Sequence, residues 1–310
     1  AALVVFTGCP QEATVAPPAD KVSPAATSTE SVVEPLQPAP AEPKAGEPKK
    51  EEPKEEGAFN LVPSDVVGKV AAEAVPLPPV ADLVGQVDEY IEKIGKSIED
   101  LDGSTNYKAD AEAVVRDTSG LSLVALAVGL SPEDSKYKKA APGIIKAATA
   151  LGAVDKYDDA KKAFDALKAS LTSSGDPASL AWTKVAELAP VMKAVPNLSS
   201  SATRWTNTEK KLKAKIKKPE QLYGALAALA VIPQGSIANA KDTGKADQEA
   251  QWKKDCEQFR DAALKANAAA HRFADDEADY AAYWNAFKAM TDSCDSCHKT
   301  FHAAAVGKSE

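Results

Sequence analysis

The stretch YAAYWNAFKAMTDSCDSCHKTF, residues 280–301, decides how this chain reads. Tyr280, Tyr283, Phe287, Met290, Cys294, Cys297 and Phe301 follow one another at intervals of three and four. That spacing keeps side chains on one face of an α-helix. The stretch also contains Cys294-Asp295-Ser296-Cys297-His298, a CxxCH motif, which is the attachment signature of c-type haem. Three residues on a helix bring both thiols to one face, where they can form thioethers to the two vinyl groups of a porphyrin. His298, directly after the second cysteine, then reaches the iron from the proximal side. Both cysteines sit on the apolar stripe, so motif and periodicity agree that the group would enter the core.

Other uses of the motif fit less well. A structural zinc site needs a second ligand pair, and the sequence holds no other Cys or His cluster. A redox dithiol usually opens a helix in an α/β fold, whereas this motif lies near the end of one in an all-helical pattern. A simple disulfide leaves His298 without a role.

Working back along the chain, Trp252, Cys256, Phe259, Ala263, Ala266, Ala270 and Phe273 form a second helical stripe. A further helix starts near Pro219, a residue suited to a first turn, and runs through Leu222, Leu226 and Leu229. Upstream, Pro190, Pro196 and Ser199-Ser200-Ser201 interrupt the pattern. The whole arrangement occurs twice. Val124-Ala125-Leu126-Ala127-Val128 answers to Ala227-Ala228-Leu229-Ala230-Val231, and Lys136-Tyr137-Lys138-Lys139 answers to Gln251-Trp252-Lys253-Lys254. Tyr157 and Ala163-Phe164 answer to Tyr280 and Ala286-Phe287. The first copy keeps both stripes: Tyr137, Ala141, Ile144, Ala148 and Leu151, then Tyr157, Ala160, Phe164, Leu167 and Leu171. With no strand alternation in competition, the fold class expected is all-α: two tandem antiparallel four-helix-bundle-like domains, over 80–176 and 177–310.

Composition assigns the remainder. The 310 residues are 44% hydrophobic and 26% charged, enough for a packed core. Of the 21 prolines, fourteen fall between Pro10 and Pro79, and all four tryptophans lie in the second half. Residues 10–79 read as a disordered Pro/Ala/Glu/Lys-rich linker, too poor in apolar groups to offset chain entropy. Residues 1–9 read as the end of a signal-peptide apolar region, and Phe6-Thr7-Gly8-Cys9 resembles the lipobox of bacterial lipoproteins. That makes Cys9 a candidate lipidation site and implies a membrane anchor outside the cytoplasm, in the periplasm; the alternative is a chance Gly-Cys beside an apolar stretch. No run is seen to approach the eighteen or more apolar residues of a membrane span. A net charge of −8 argues against general nucleic-acid binding. The charge is uneven: −6 before residue 80, −5 over 80–176 and +3 over 177–310. This asymmetry leads us to expect the acidic copy to pack against the basic one.

A four-helix pattern with CxxCH close to its C-terminus resembles the cytochrome c′ family, in contrast to small cytochromes c with the motif near the N-terminus. Copy two shares Val191-Met192-Lys193 early, Pro233-Gln234-Gly235 between helices, Trp252 opening the third helix, and Cys294 to Phe301 at the end. The resemblance spans about 130 residues, with CxxCH as its one highly specific element. It implies one covalently bound haem c, with Cys294 and Cys297 as anchors and His298 as proximal iron ligand. Where the family often has Arg four residues after the haem histidine, this chain has His302. The resemblance also makes Met192 the candidate distal ligand; a packing role is the alternative.

The sixth ligand separates two functions. A six-coordinate His/Met iron cycles electrons and makes the chain an electron-transfer protein serving redox partner proteins; a five-coordinate iron binds or senses NO or CO. No acid, base or nucleophile constellation accompanies the motif, so no enzyme activity is expected. Met290, four residues before Cys294, reads as core. His271 falls off its apolar stripe and reads as solvated, and His302 lies either near the haem edge or on the surface. Cys256 reads as a buried free thiol. Lys210, Lys211, Lys213, Lys215, Lys217 and Lys218 form either a docking surface for an acidic partner or a solvated helix face. Copy one has Leu171, Ser174 and Gly175 where copy two has Cys294, Cys297 and His298, so it is expected to be a haemless bundle filled by side chains.

Overall fold

Two helices without a polar face organise the molecule. In a computed structural model that describes residues 75–302, these are α3 (Glu112–Leu130) and α8 (Glu220–Ser236). Every residue from Gly120 to Gly129 and from Leu222 to Ser236 is buried. A helix that is apolar all round must be covered on all sides. Among the described residues eight further helices surround them, some directly and some through a neighbour: α1 (Val80–Glu99), α2 (Tyr107–Asp110), α4 (Ala141–Gly152), α5 (Tyr157–Ser170), α6 (Leu188–Thr206), α7 (Glu209–Lys215), α9 (Glu249–Ala274) and α10 (Tyr280–Phe301). Among the described residues there is no strand, so the chain is all-α. The candidate lipid site Cys9 and residues 10–74 of the linker lie outside the described residues.

The expectation that no segment approaches a membrane span needs correction. Windows in Glu112–Leu130 and Glu220–Thr243 reach mean hydropathies of 1.5 and 1.2, long and apolar enough to cross by length and composition. Their occasional small polar residues break the apolar run without lowering the window average. Both are 72% or more buried inside the protein, which is the behaviour of central core helices.

Element order repeats: a long helix, a helix of one or two turns, a long apolar helix, then two more. Burial repeats in register. Val87, Tyr90, Ile94 and Ile98 of α1 and Val191, Ala194, Leu198 and Ala202 of α6 are all buried at one constant offset. The same offset sets Asp88 opposite Met192. α1 packs on α3 and α6 on α8; across the repeat, α1 packs on α8, α3 on α6 and α3 on α8. Exchanging α1 with α6 and α3 with α8 leaves this set of contacts unchanged. One hydrophobic cluster runs through both halves, from Leu83 to Met290, and packing is continuous across residue 176.

Local chemistry sets the boundaries near the motif. Pro219 is the N-cap of α8, and the Asp279 carboxylate accepts from the Ala282 amide at the start of α10. Contrary to the interrupted pattern expected around Pro190 and Pro196, α6 is continuous from Leu188 to Thr206. Pro196 is exposed. Its missing N–H deprives the Met192 carbonyl of a helical donor, a loss that solvent can make good.

Candidate functional site at the end of α10

Three contacts assign the helices to the two ends of the second half. The Asn239 side chain donates to the Ala186 carbonyl at 3.0 Å, joining the start of α6 to the turn after α8. Trp252 Nε1 donates to the Ser236 carbonyl at 2.8 Å, joining the start of α9 to the end of α8. Trp252 also meets Phe301 edge-on at 5.2 Å, bringing the end of α10 to the same place. α6, α8, α9 and α10 therefore alternate in direction. At the opposite end, Tyr283 Oη donates to Thr206 Oγ1 at 2.9 Å and Tyr280 Oη to the Thr206 carbonyl at 3.0 Å.

These bonds make a ruler. Met192 lies fourteen positions before Thr206, and Cys297 fourteen positions after Tyr283. At 1.5 Å per residue both sit about 21 Å along their helices from the shared pin. Met192 of α6 and the CxxCH turn of α10 are thus level. Among the described residues, α10 packs along α9 and meets α6 chiefly near Thr206, so the two do not pack along their length. Copy one differs. There α5 does pack on α1, and the Phe164 ring fills the place a Gly95 side chain would take, 2.9 Å from that Cβ position. Asp88, the counterpart of Met192, accepts from Tyr137 Oη at 2.5 Å and from Lys136 Nζ at 2.7 Å. In the first copy Phe164 packs α5 against α1, whereas in the second α10 does not pack along α6.

The motif residues sit at the edge of the core. Cys294, Cys297 and His298 are each half-buried, and Cys294 and Cys297 are not disulfide-bonded. Burial, reinforced by Asp295, pushes the Cys294 thiol up to about 11. Burial, reinforced by Asp255, pushes the Cys297 thiol up to about 12. Desolvation, helped by His302, lowers the pKa of His298, which favours the neutral imidazole an iron ligand requires. The following turn is held from outside: Lys245 Nζ donates to the Thr300 carbonyl and lies 5.9 Å from the Phe301 ring centroid. A cation at a helix C-terminus also answers the partial negative charge there.

Several sequence expectations meet their surroundings here. Met290 is fully buried in the core, as expected. Cys256 is buried and free, as expected, and desolvation first, then the Cys297 charge, raises its pKa. His302 is exposed, its ring edge-on to His298 at 6.0 Å. His271 corrects the solvated reading. Its Nε2 lies 2.8 Å from Asp82 Oδ2, its ring stacks on Tyr223 at 3.7 Å, and Asn267 donates to the same carboxylate oxygen at 2.9 Å. This pairing ties α9 to α1. Fifteen positions separate His271 from Cys256, about 22 Å of helix, so it takes no part at the motif.

The lysine run is also at the far end. α7 follows Thr206 directly, beside the tyrosine pin. Lys215 is half-buried over Trp205 at 4.0 Å and Lys213 pairs with Glu209, leaving Lys210, Lys211, Lys217 and Lys218 exposed.

One residue near the motif escaped the sequence reading. Asp255 is only 4% exposed, with Oδ1 accepting from Gln251 Nε2 at 2.7 Å and Oδ2 without a partner. Gln248, two turns earlier on the same face, also holds a buried oxygen without a donor. A carboxylate three positions after Trp252, inside an apolar stripe, was its only signal. The half-buried CxxCH face and the separation of α6 from α10 suit a covalently held haem. Among the described residues, no group of three or more His, Cys, Asp or Glu side chains gathers as a metal site. Comparison with protein-family models, with curated proteins and with solved structures finds no match for the chain.

Proposed function

We propose that the chain is a monohaem c-type cytochrome that transfers single electrons outside the cytoplasm, held to a membrane through Cys9. The observation that carries this reading is the level placement of Met192 and the CxxCH turn across helices that do not pack together. The group would supply a one-electron ferric/ferrous couple. Cys294 and Cys297 fix it to one face of α10 through thioethers. His298 offers a neutral nitrogen on that side, and Met192 offers a thioether sulfur from α6. The α9 wall of Trp252, Cys256 and Phe259 keeps water from one edge of the site. Lys245 holds the last turn of α10 and with it the position of His298. Residues 80–176 are read as the haemless copy of the same unit, with Phe164 packed between α5 and α1 at Gly95.

A second reading, a five-coordinate centre that binds NO or CO, draws on the half-burial of Met192 and on Pro196, which loosens the turn that carries it. The absorption spectrum of wild type beside Met192→Ala separates the two. Electron transfer predicts a low-spin wild type with a sulfur-to-iron charge-transfer band that Met192→Ala abolishes. A wild type that is already high-spin, binds CO promptly and is unchanged by Met192→Ala would reject it for the gas-binding reading.

A further inference from the structure

We propose that Asp255 is the buried charge that sets the reduction potential of the CxxCH site, holding it low. The proposal rests on the haem reading and adds to it a residue on a different helix from the motif.

Asp255 lies on α9, the helix along which α10 packs, one turn after Trp252, whose ring meets Phe301 one turn beyond Cys297 at 5.2 Å. The carboxylate is near enough for its charge to act on the thiols of Cys256 and Cys297. A carboxylate this deep is normally neutralised by a cation or fully hydrogen-bonded. Asp255 has neither. Among the described residues its one donor is the exposed amide of Gln251, and no salt bridge reaches it. Lys253, the cation two positions away, pairs with Glu257, and Arg260 pairs with Asp261 and donates to Gln234. When Asp255 is ionised, its charge sits inside the protein on the helix that packs along α10, where solvent and salt screen it little.

Oxidation of the iron adds one positive charge to the site. A fixed negative charge nearby favours the oxidised form, and the effect grows as the local dielectric falls. A surface carboxylate at similar range would be screened. Burial with an open oxygen is costly in a haem-free chain and becomes useful where a neighbouring positive charge develops. The same charge opposes a methionine ligand, which raises the potential. The two helices that flank the motif would then tune it in opposite directions, α6 through Met192 and α9 through Asp255.

The test is a spectroelectrochemical titration of the full-length holoprotein, on wild type, Asp255→Asn, Gln251→Ala and Glu249→Gln. Asp255→Asn keeps the shape and the Gln251 contact but removes the charge, so the midpoint should rise. Gln251→Ala removes the only donor and keeps the charge, so the midpoint should fall; Gln251 is exposed, so this variant is expected to fold. Glu249→Gln removes an exposed charge from the same helix and should change little, with any shift vanishing at high salt. Opposite shifts for the first two variants support the proposal. Unchanged midpoints in both, with covalent haem present, overturn it while leaving the haem reading intact. A wild-type chain that carries no covalent haem overturns both, and the haem-to-protein ratio measured before titration tells the two failures apart.

Discussion

At the scale of single residues, the half-buried thiols are the most informative groups. In the haem-free folded chain, burial keeps Cys294 and Cys297 protonated well past the ordinary thiol value of 9.0, to about 11 and about 12. Thiolate is the reactive form, so alkylation at pH 8 should be many times slower folded than unfolded. The linkage has a definite sign. The folded state retains thiol protons that the unfolded chain releases, so stability from this source is complete below pH 9. It declines as pH rises through 11 to 12. Denaturant melts of the haem-free protein across that range should show the decline, and a flat profile would contradict the burial of the motif. Asp82 gives a second residue-scale prediction. Asp82→Ala strips a buried acceptor from Asn267 and His271, and should cost about 1–3 kcal/mol in chemical denaturation. The CxxCH motif was legible at this scale because all its members lie within five positions. The Asp82–His271 pair was not, because its members are 189 positions apart and only the packing of α9 near α1 brings them together.

At the scale of elements, what matters is how closely helices approach. α8 crosses α1 at Gly224, where a Cβ would lie 2.9 Å from Gln86 Oε1 and 3.3 Å from its backbone nitrogen. The backbone atom cannot move aside as a side chain can. Gly224→Ala should destabilise by roughly 1–3 kcal/mol through overpacking, and Gly224→Leu by more, in thermal or denaturant unfolding. An unchanged melting point for Gly224→Leu would mean that the two helices do not meet there. The stripes of α4, α5, α9 and α10 were legible in the sequence because each is a local 3–4 pattern whose residues do turn inward. α6 was obscured by its prolines, which the helix tolerates with Pro196 on an exposed face. α8 was legible through Pro219 and the Leu222, Leu226 and Leu229 spacing, but its burial on every side was not, because a helix apolar all round shows no polar face to contrast with. The lysines of α7 were conspicuous, but sequence could not say that they lie by the Thr206 pin, about 21 Å of helix from the motif.

At the scale of the whole molecule, the repeat and the core pull in different directions. The repeat suggests two units, whereas α3 and α8 are covered by helices from both halves and share one hydrophobic cluster. Residues 177–310 expressed alone should therefore expose the side of α8 that α1 and α3 cover, and aggregate or melt far below the full chain. A soluble, cooperatively folding fragment with the stability of the parent would contradict a shared core. The first half completes the surroundings of α8, against which α6 and α9 of the motif-bearing half are set. The acidic half does pack against the basic one, chiefly through apolar contacts, with Lys193–Glu112 at 2.9 Å as an ion pair across the halves. The central claim is that one haem is held by Cys294 and Cys297. The most direct test is the intact mass and alkaline-pyridine spectrum of the full chain, produced with c-type haem maturation machinery, beside Cys294→Ser/Cys297→Ser. The account predicts one covalent haem per wild-type chain, with the spectrum of two saturated thioether bonds, and none in the double variant. A wild-type chain without covalent haem, or a double variant that keeps it, would contradict the account.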